Sequence, residues 1–152
     1  MAENKKIKNA TPEESLGIKF KSGMEARFYK ILLLAGFKPD YEKMTFILWE
    51  GFKPIVPFYT QESKKKIRVP KQPKGLVLDN TKLINITYTP DFTFMYKGKL
   101  IIIEVKGFEN DTFPIKKKLF RGLLEEKIKD AIFFEVFTKT QLLQAIEKIK
   151  QI

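Results

Sequence analysis

The sequence contains neither cysteine nor histidine. Without cysteine there are no disulfides, no thiolate nucleophile and no thiolate metal site. Without histidine the Ser/His and Cys/His mechanisms fall away, and with them almost every zinc site. A long apolar run is also missing: no stretch of 18 such residues occurs, and the start MAENKKIKNA lacks the apolar segment of a signal peptide. A cytoplasmic protein is expected. What remains for chemistry is Asp, Glu, Lys and Tyr, and carboxylate sites favour hard cations such as Mg²⁺ or Mn²⁺.

Acidic residues are outnumbered. Lys plus Arg is 29 against 18 Asp plus Glu, a net charge of +11. Solubility is the plain reading of that excess, and a polyanionic partner is the sharper one. Nucleic acid is favoured over an anionic membrane, because no basic amphipathic helix shows a lipid-facing stripe. The length of 152 residues suits one domain with a real core.

Residues 1–18 are polar and lysine-rich and read as a flexible tail, with a single domain over 19–152. Ser22-Gly23-Met24-Glu25 fits a capping box, and Met24, Phe28, Ile31, Leu32 and Ala35 keep helical spacing up to Gly36. From Tyr41 to Tyr59 the pattern turns β-like, with Pro54 and Pro57 confining its second half to an edge or a loop. Residues 60–75 (TQESKKKIRVPKQPKG) read as an exposed basic loop. Strands are predicted at 76–78, 83–88, 92–96, 99–106 and 131–137. Leu100 to Ile103 is continuously apolar, as in a strand buried on both faces. Helices are predicted from Thr112, with Pro114 in the first turn, and after Thr138, with Gln141 completing a second capping box. The order gives a mixed α/β domain with a central mixed sheet flanked by helices.

Glu104 and Lys106 end an otherwise apolar strand and, by alternation, point to one face. If Lys97-Gly98 is a two-residue turn, Tyr96 pairs with Lys99, and counting back puts Asp91 directly across from Glu104. Their β-carbons would then lie about 5 Å apart. Two carboxylates that close repel unless a cation lies between them or one is protonated. A structural Glu–Lys pair beside a turn aspartate is the plain alternative.

Pro90-Asp91, twelve residues, then Glu104-Val105-Lys106 resembles the PD-(D/E)xK nuclease signature. Together with Ser22-Gly23-Met24-Glu25 and Tyr88-Thr89-Pro90-Asp91-Phe92, it is similar to the phage endonuclease I type of Holliday-junction resolvase. The stretch from Lys106-Gly107-Phe108 through Phe113 to Lys118-Leu119-Phe120 also looks like uncharacterised phage proteins of that superfamily. Segment 41–87 is longer than its counterpart in the junction resolvases. The resemblance implies a restriction-endonuclease-like core and Mg²⁺-dependent hydrolysis of DNA, leaving a 5′-phosphate and a 3′-hydroxyl. Branched DNA would be the substrate and a homodimer the active form, with no nucleotide cofactor and no membrane partner. Asp91 and Glu104 would be metal ligands and Lys106 the catalytic lysine. Glu25 would be the acid from the first helix that completes the metal site, although a glutamate there also caps a helix without any chemistry.

The candidate DNA contacts are Ser22, Lys116, Lys117, Lys118 and Arg121, with Lys64, Lys65, Lys66 and Arg68 in the basic loop. Helical spacing puts Lys117, Lys118 and Arg121 on a polar face. Lys116 falls within an apolar stripe of Ile115, Leu119, Phe120 and Leu123, from where it can snorkel toward a phosphate. Phe46 and Trp49 read as core. The rival readings are a linear-duplex or transposition-type endonuclease, a non-catalytic basic DNA-binding protein, and a degenerate nuclease fold used as a scaffold.

Overall fold

The computed structural model describes residues 12–62, 75–107 and 112–152. Ten strands and three helices occur among them: β1 (Glu13–Ser15), β2 (Ile18–Phe20), α1 (Gly23–Leu34), β3 (Asp40–Tyr41), β4 (Phe46–Trp49), β5 (Tyr59–Gln61), β6 (Leu76–Leu78), β7 (Ile86–Tyr88), β8 (Phe92–Tyr96), β9 (Lys99–Val105), α2 (Phe113–Lys127), β10 (Ala131–Val136) and α3 (Lys139–Lys150). The protein is a mixed α/β fold, as its element order predicts. The chain gathers into two compact units. One runs to Leu48 and resumes from Thr87 to Ile152; the other is Trp49–Ile86.

The first unit is built on a four-stranded sheet ordered β10-β9-β8-β3. β9 is antiparallel to β8 and parallel to β10, so the sheet is mixed. The β8–β9 hairpin turns at Lys97 (φ 45°) and Gly98 (φ 79°), the two left-handed residues that a tight hairpin turn needs. The parallel neighbour requires a crossover, which α2 supplies. Ile101, Ile102 and Ile103 are wholly buried, because β9 is covered on both faces. On one face Phe92, Phe94, Ile101, Ile103 and Val136 pack against Phe28 and Leu32 of α1 and Leu142, Ile146 and Ile149 of α3. On the other, Ile102 packs with Phe113 and Phe120 of α2, and with Phe46 and Tyr88.

Local signals set the helix ends. The Ser22 side chain accepts from Glu25 N–H, and that of Thr138 from Gln141 N–H. α1 stops at Gly36 (φ 91°), where Gly36 N–H bonds Leu33 O and Phe37 N–H bonds Leu32 O. That pattern satisfies the last carbonyls and returns Phe37 to the core.

Two sequence expectations are corrected here. Residues 13–15 and 18–20 form an antiparallel hairpin, β1–β2, where the tail was expected to run to 18. Its strands are short, and Phe20 is buried against Tyr29 and Tyr41. The first two residues of the expected loop 60–75, Thr60 and Gln61, instead extend β5, whose Tyr59, Thr60 and Gln61 pair with Leu78, Val77 and Leu76 of the expected strand at 76–78. Lys64, Lys65, Lys66 and Arg68 lie outside the described residues.

In the second unit Gly51 lies so close to Leu83 that a β-carbon would sit 2.0 Å from the Leu83 carbonyl oxygen. Any side chain there would push the two segments apart. Trp49, read as core, is 38% exposed and packs edge-on against Phe52. Phe46 is buried as predicted.

Candidate functional site

Burial singles out three charged side chains. Among the described residues, the buried charged ones are Glu25, Asp91 and Glu104. These are the three acids predicted from the motif. The hairpin register explains two of them: Phe92 pairs with Ile103, so the next pair outward is Asp91 and Glu104. Alternation puts both on the α2 face of the sheet, in phase with Ile102.

Each carboxylate is held. Asp91 Oδ2 accepts from Val105 N–H at 2.7 Å. Glu104 Oε1 faces Lys106 Nζ at 2.6 Å, and Oε2 accepts from the Tyr88 hydroxyl at 2.6 Å. Glu25 comes from the first turn of α1. Its Oε1 accepts from Ser22 Oγ at 2.8 Å and its Oε2 from the Tyr41 hydroxyl at 2.5 Å. Ser22 and Glu25 thus cap the helix and join the site at once. Burial pushes the Asp91 carboxyl well above its ordinary value, and the charges of Glu104 and Glu25 add to this. Val105 N–H and Lys106 oppose the rise only in part. Burial, followed by contact with a site carboxylate, likewise raises the phenols of Tyr41 and Tyr88.

Lys106 is nearly enclosed. Besides Glu104, its ammonium lies 3.4 Å from the centre of the Phe113 ring. Phe113 opens α2, so the helix that covers the sheet also supports the lysine.

The structure adds Glu135, which the motif does not include. It pairs with Glu104 in the parallel β9–β10 register. Lys117 Nζ meets both of its carboxylate oxygens at 3.1 Å. A signal for it lies in the sequence: Ile101-Ile102-Ile103-Glu104-Val105 and Ile132-Phe133-Phe134-Glu135-Val136 share one pattern, an acid interrupting each of two apolar strands.

That pair corrects the reading of α2. Lys117 turns to the sheet rather than joining Lys118 and Arg121 on the polar face. Ile115 and Leu119 are 64% and 38% exposed instead of lying in the apolar stripe. The inward line runs through Phe113, Lys117, Phe120 and Leu124, at helical spacing. Lys116 is half-buried, and its ammonium bonds the carbonyl of exposed Thr87 at 3.0 Å. Lys118 and Arg121 are exposed, as a DNA-facing role requires.

Chemically this is an all-oxygen acidic pair with a lysine on one member, the donor set that suits a hard divalent cation. The excess negative charge around buried Asp91 is what such a cation would neutralise. Among the described residues no three acidic side chains converge into a ready-made metal cage. The pair Asp91 and Glu104, with Glu25 acting on Asp91 through its charge, is therefore the candidate ligand set.

Fold and site together define a mixed α/β protein with a buried acid–lysine centre at a sheet end. Over residues 5–139 the chain matches the family described as "Protein of unknown function (DUF1064)", and it belongs to that family. No curated protein and no solved structure matches it. Among the described residues, no helix is long and apolar enough to cross a membrane.

Proposed function

We propose that the protein is a metal-dependent DNA endonuclease of the PD-(D/E)xK type with a restriction-endonuclease-like core. One observation carries this reading: the buried charged side chains among the described residues are the three motif acids, and the motif lysine is on one of them. Burying three acids in one region is costly, and a structural role does not require it. Perturbed ionisable groups of this kind concentrate at functional sites.

In this reading Asp91 and Glu104 hold the cation, and Glu25 supports it from the first turn of α1. A bound Mg²⁺ or Mn²⁺ would act as a Lewis acid on the scissile phosphate and its attacking water. Lys106 donates from its ammonium to the water or to a phosphate oxygen, balancing charge that develops in the transition state. Lys118 and Arg121 offer phosphate contacts on α2. The substrate favoured by the resemblance is branched DNA, cut by a homodimer.

The test is cleavage of a plasmid, a four-way junction and a matched linear duplex in Mg²⁺ and in EDTA. Cutting is expected in Mg²⁺ alone. Asp91→Asn, Glu104→Gln and Lys106→Ala should each reduce it by roughly 10²-fold or more, with DNA binding retained. Cutting that survives EDTA or these substitutions overturns the proposal. The junction-to-linear ratio decides between a branched and a linear substrate.

A further inference from the structure

We propose that Tyr41 and Tyr88 are positioning residues for the site: each fixes one long acidic side chain, Glu25 and Glu104 respectively, so that the carboxylates meet a divalent cation already oriented. The inference rests on the metal-dependent reading above and extends it to two residues outside the motif acids and lysine.

A glutamate has three rotatable side-chain bonds and, left alone at a sheet end, would sample several rotamers. In both cases here a tyrosine hydroxyl narrows that freedom, alongside Ser22 Oγ and Lys21 N–H at Glu25 and Lys106 at Glu104. Tyr88 donates to Glu104 Oε2 at 2.6 Å, and Tyr41 donates to Glu25 Oε2 at 2.5 Å. Asp91, one methylene shorter, is held by the backbone N–H of Val105 and has no tyrosine.

A carboxylate oxygen has two lone pairs, so a hydroxyl on one leaves the other of Glu104 Oε2 for a cation. Glu25 Oε2 also accepts from Lys21 N–H at 3.2 Å, so the open lone pair of Glu25 is on Oε1, beside Ser22 Oγ. Outer hydrogen bonds of this kind set ligand orientation in metal sites.

The rings that carry the hydroxyls are themselves fixed, and in different places. Tyr41 packs against Phe20 and Phe92, with centroids 4.7 and 5.8 Å apart, in the α1/α3 core. Tyr88 packs against Phe120 at 4.7 Å and Phe113 at 6.1 Å, in the α2 core. Each core of the first unit thus reaches the site through one phenol. Tyr88 also ties the two halves of the candidate chemistry together, because Phe113, which it touches, is the ring under Lys106.

A purely structural account is available: each phenol satisfies a buried carboxylate, and nothing more. The two accounts differ in what Tyr→Phe does to cation affinity. The experiment titrates Mn²⁺ by calorimetry into the full chain, as wild type, Tyr41→Phe, Tyr88→Phe, the double variant and Glu104→Gln. Circular dichroism and Tm report folding. Positioning predicts Glu104-dependent Mn²⁺ binding in the wild type, weaker by roughly tenfold or more in each single variant, and weaker still in the double. A folded variant with unchanged affinity overturns the assignment for that tyrosine, whatever its Tm, and leaves the nuclease reading standing. A wild type that binds no Mn²⁺ overturns both. Because the tyrosines belong to different cores, loss of folding in one variant still leaves the other to decide.

Discussion

At the scale of single residues, the site stores electrostatic tension that can be measured without substrate. Glu104 and Lys106 are 8% and 13% exposed at their side chains, so neither charge is well solvated. Removing one partner of such a pair leaves the other uncompensated. Lys106→Ala should cost about 3 kcal/mol in EDTA, read from urea denaturation, and Mg²⁺ should restore part of it. An unchanged unfolding midpoint would show that Glu104 finds another partner. Asp91 behaves in the opposite sense. Its folded pKa lies above the ordinary carboxylate value of 3.8, because of burial and then of the Glu104 and Glu25 charges. The folded chain therefore holds this proton after the unfolded chain has lost it, and stability falls as pH rises from 3.8 through the folded value. Asp91→Asn removes that loss and can still accept from Val105 N–H. In EDTA at neutral pH this variant should melt above the wild type, with the gap narrowing as pH is lowered toward 4. A gap that widens on acidification would reverse the sign of the argument.

At the scale of elements, the two capped helices make a matched comparison. Ser22 caps α1 and also donates to Glu25, whereas Thr138 caps α3 and contacts no site acid. Ser22→Ala and Thr138→Ala should each cost about 1 kcal/mol, but only the first should lower cleavage; equal activities would reduce Ser22 to a cap. Legibility also divides by element. The β8–β9 register was readable because the Lys97-Gly98 turn admits one pairing, and that pairing brings Asp91 to Glu104. The caps and Gly36 were readable for the same reason, since their partners lie within a few residues. Glu135 and Lys117 were not. The register of β10 against β9 is set across a 25-residue connection by packing rather than by a turn, so the sequence does not pair the acid in β10 with Glu104. Spacing alone puts Lys117 on the outer face, because it gives relative directions, while Phe113 and Phe120 decide which direction is inward. Tyr41 reaches Glu25 only through the tertiary arrangement of β3 and α1. Trp49 and the residues at 13–18 depart from expectation because hydrophobicity and polarity are weak guides in short strands.

At the scale of the whole molecule, the net charge of +11 makes a statement independent of the site. If phosphate contacts hold DNA, each one releases counterions, and log affinity falls with log salt by about 0.9 per contact. Binding to a short duplex should weaken by roughly 10³-fold between 50 and 200 mM salt for six or so contacts. Lys118→Glu with Arg121→Glu should flatten that slope, as measured by fluorescence anisotropy. A salt-insensitive affinity would argue against a polyanion-binding surface. Such binding is shared by the nuclease and the non-catalytic readings, so it tests the electrostatics and leaves the chemistry to the cleavage assay.

The two-residue turn at Lys97-Gly98 has a further consequence, for the order in which the centre is assembled. A hairpin zips on a microsecond timescale, and this one needs no helix to choose its pairing. The third sheet partner must wait for the intervening α2 crossover to form and dock. Two mutually repelling anions should thus come face to face in the nascent ribbon before most of the apolar shell that later seals them has condensed. The chain carries its acidic pair as a preset cassette, and later folding steps should only decide how deeply that cassette is enclosed.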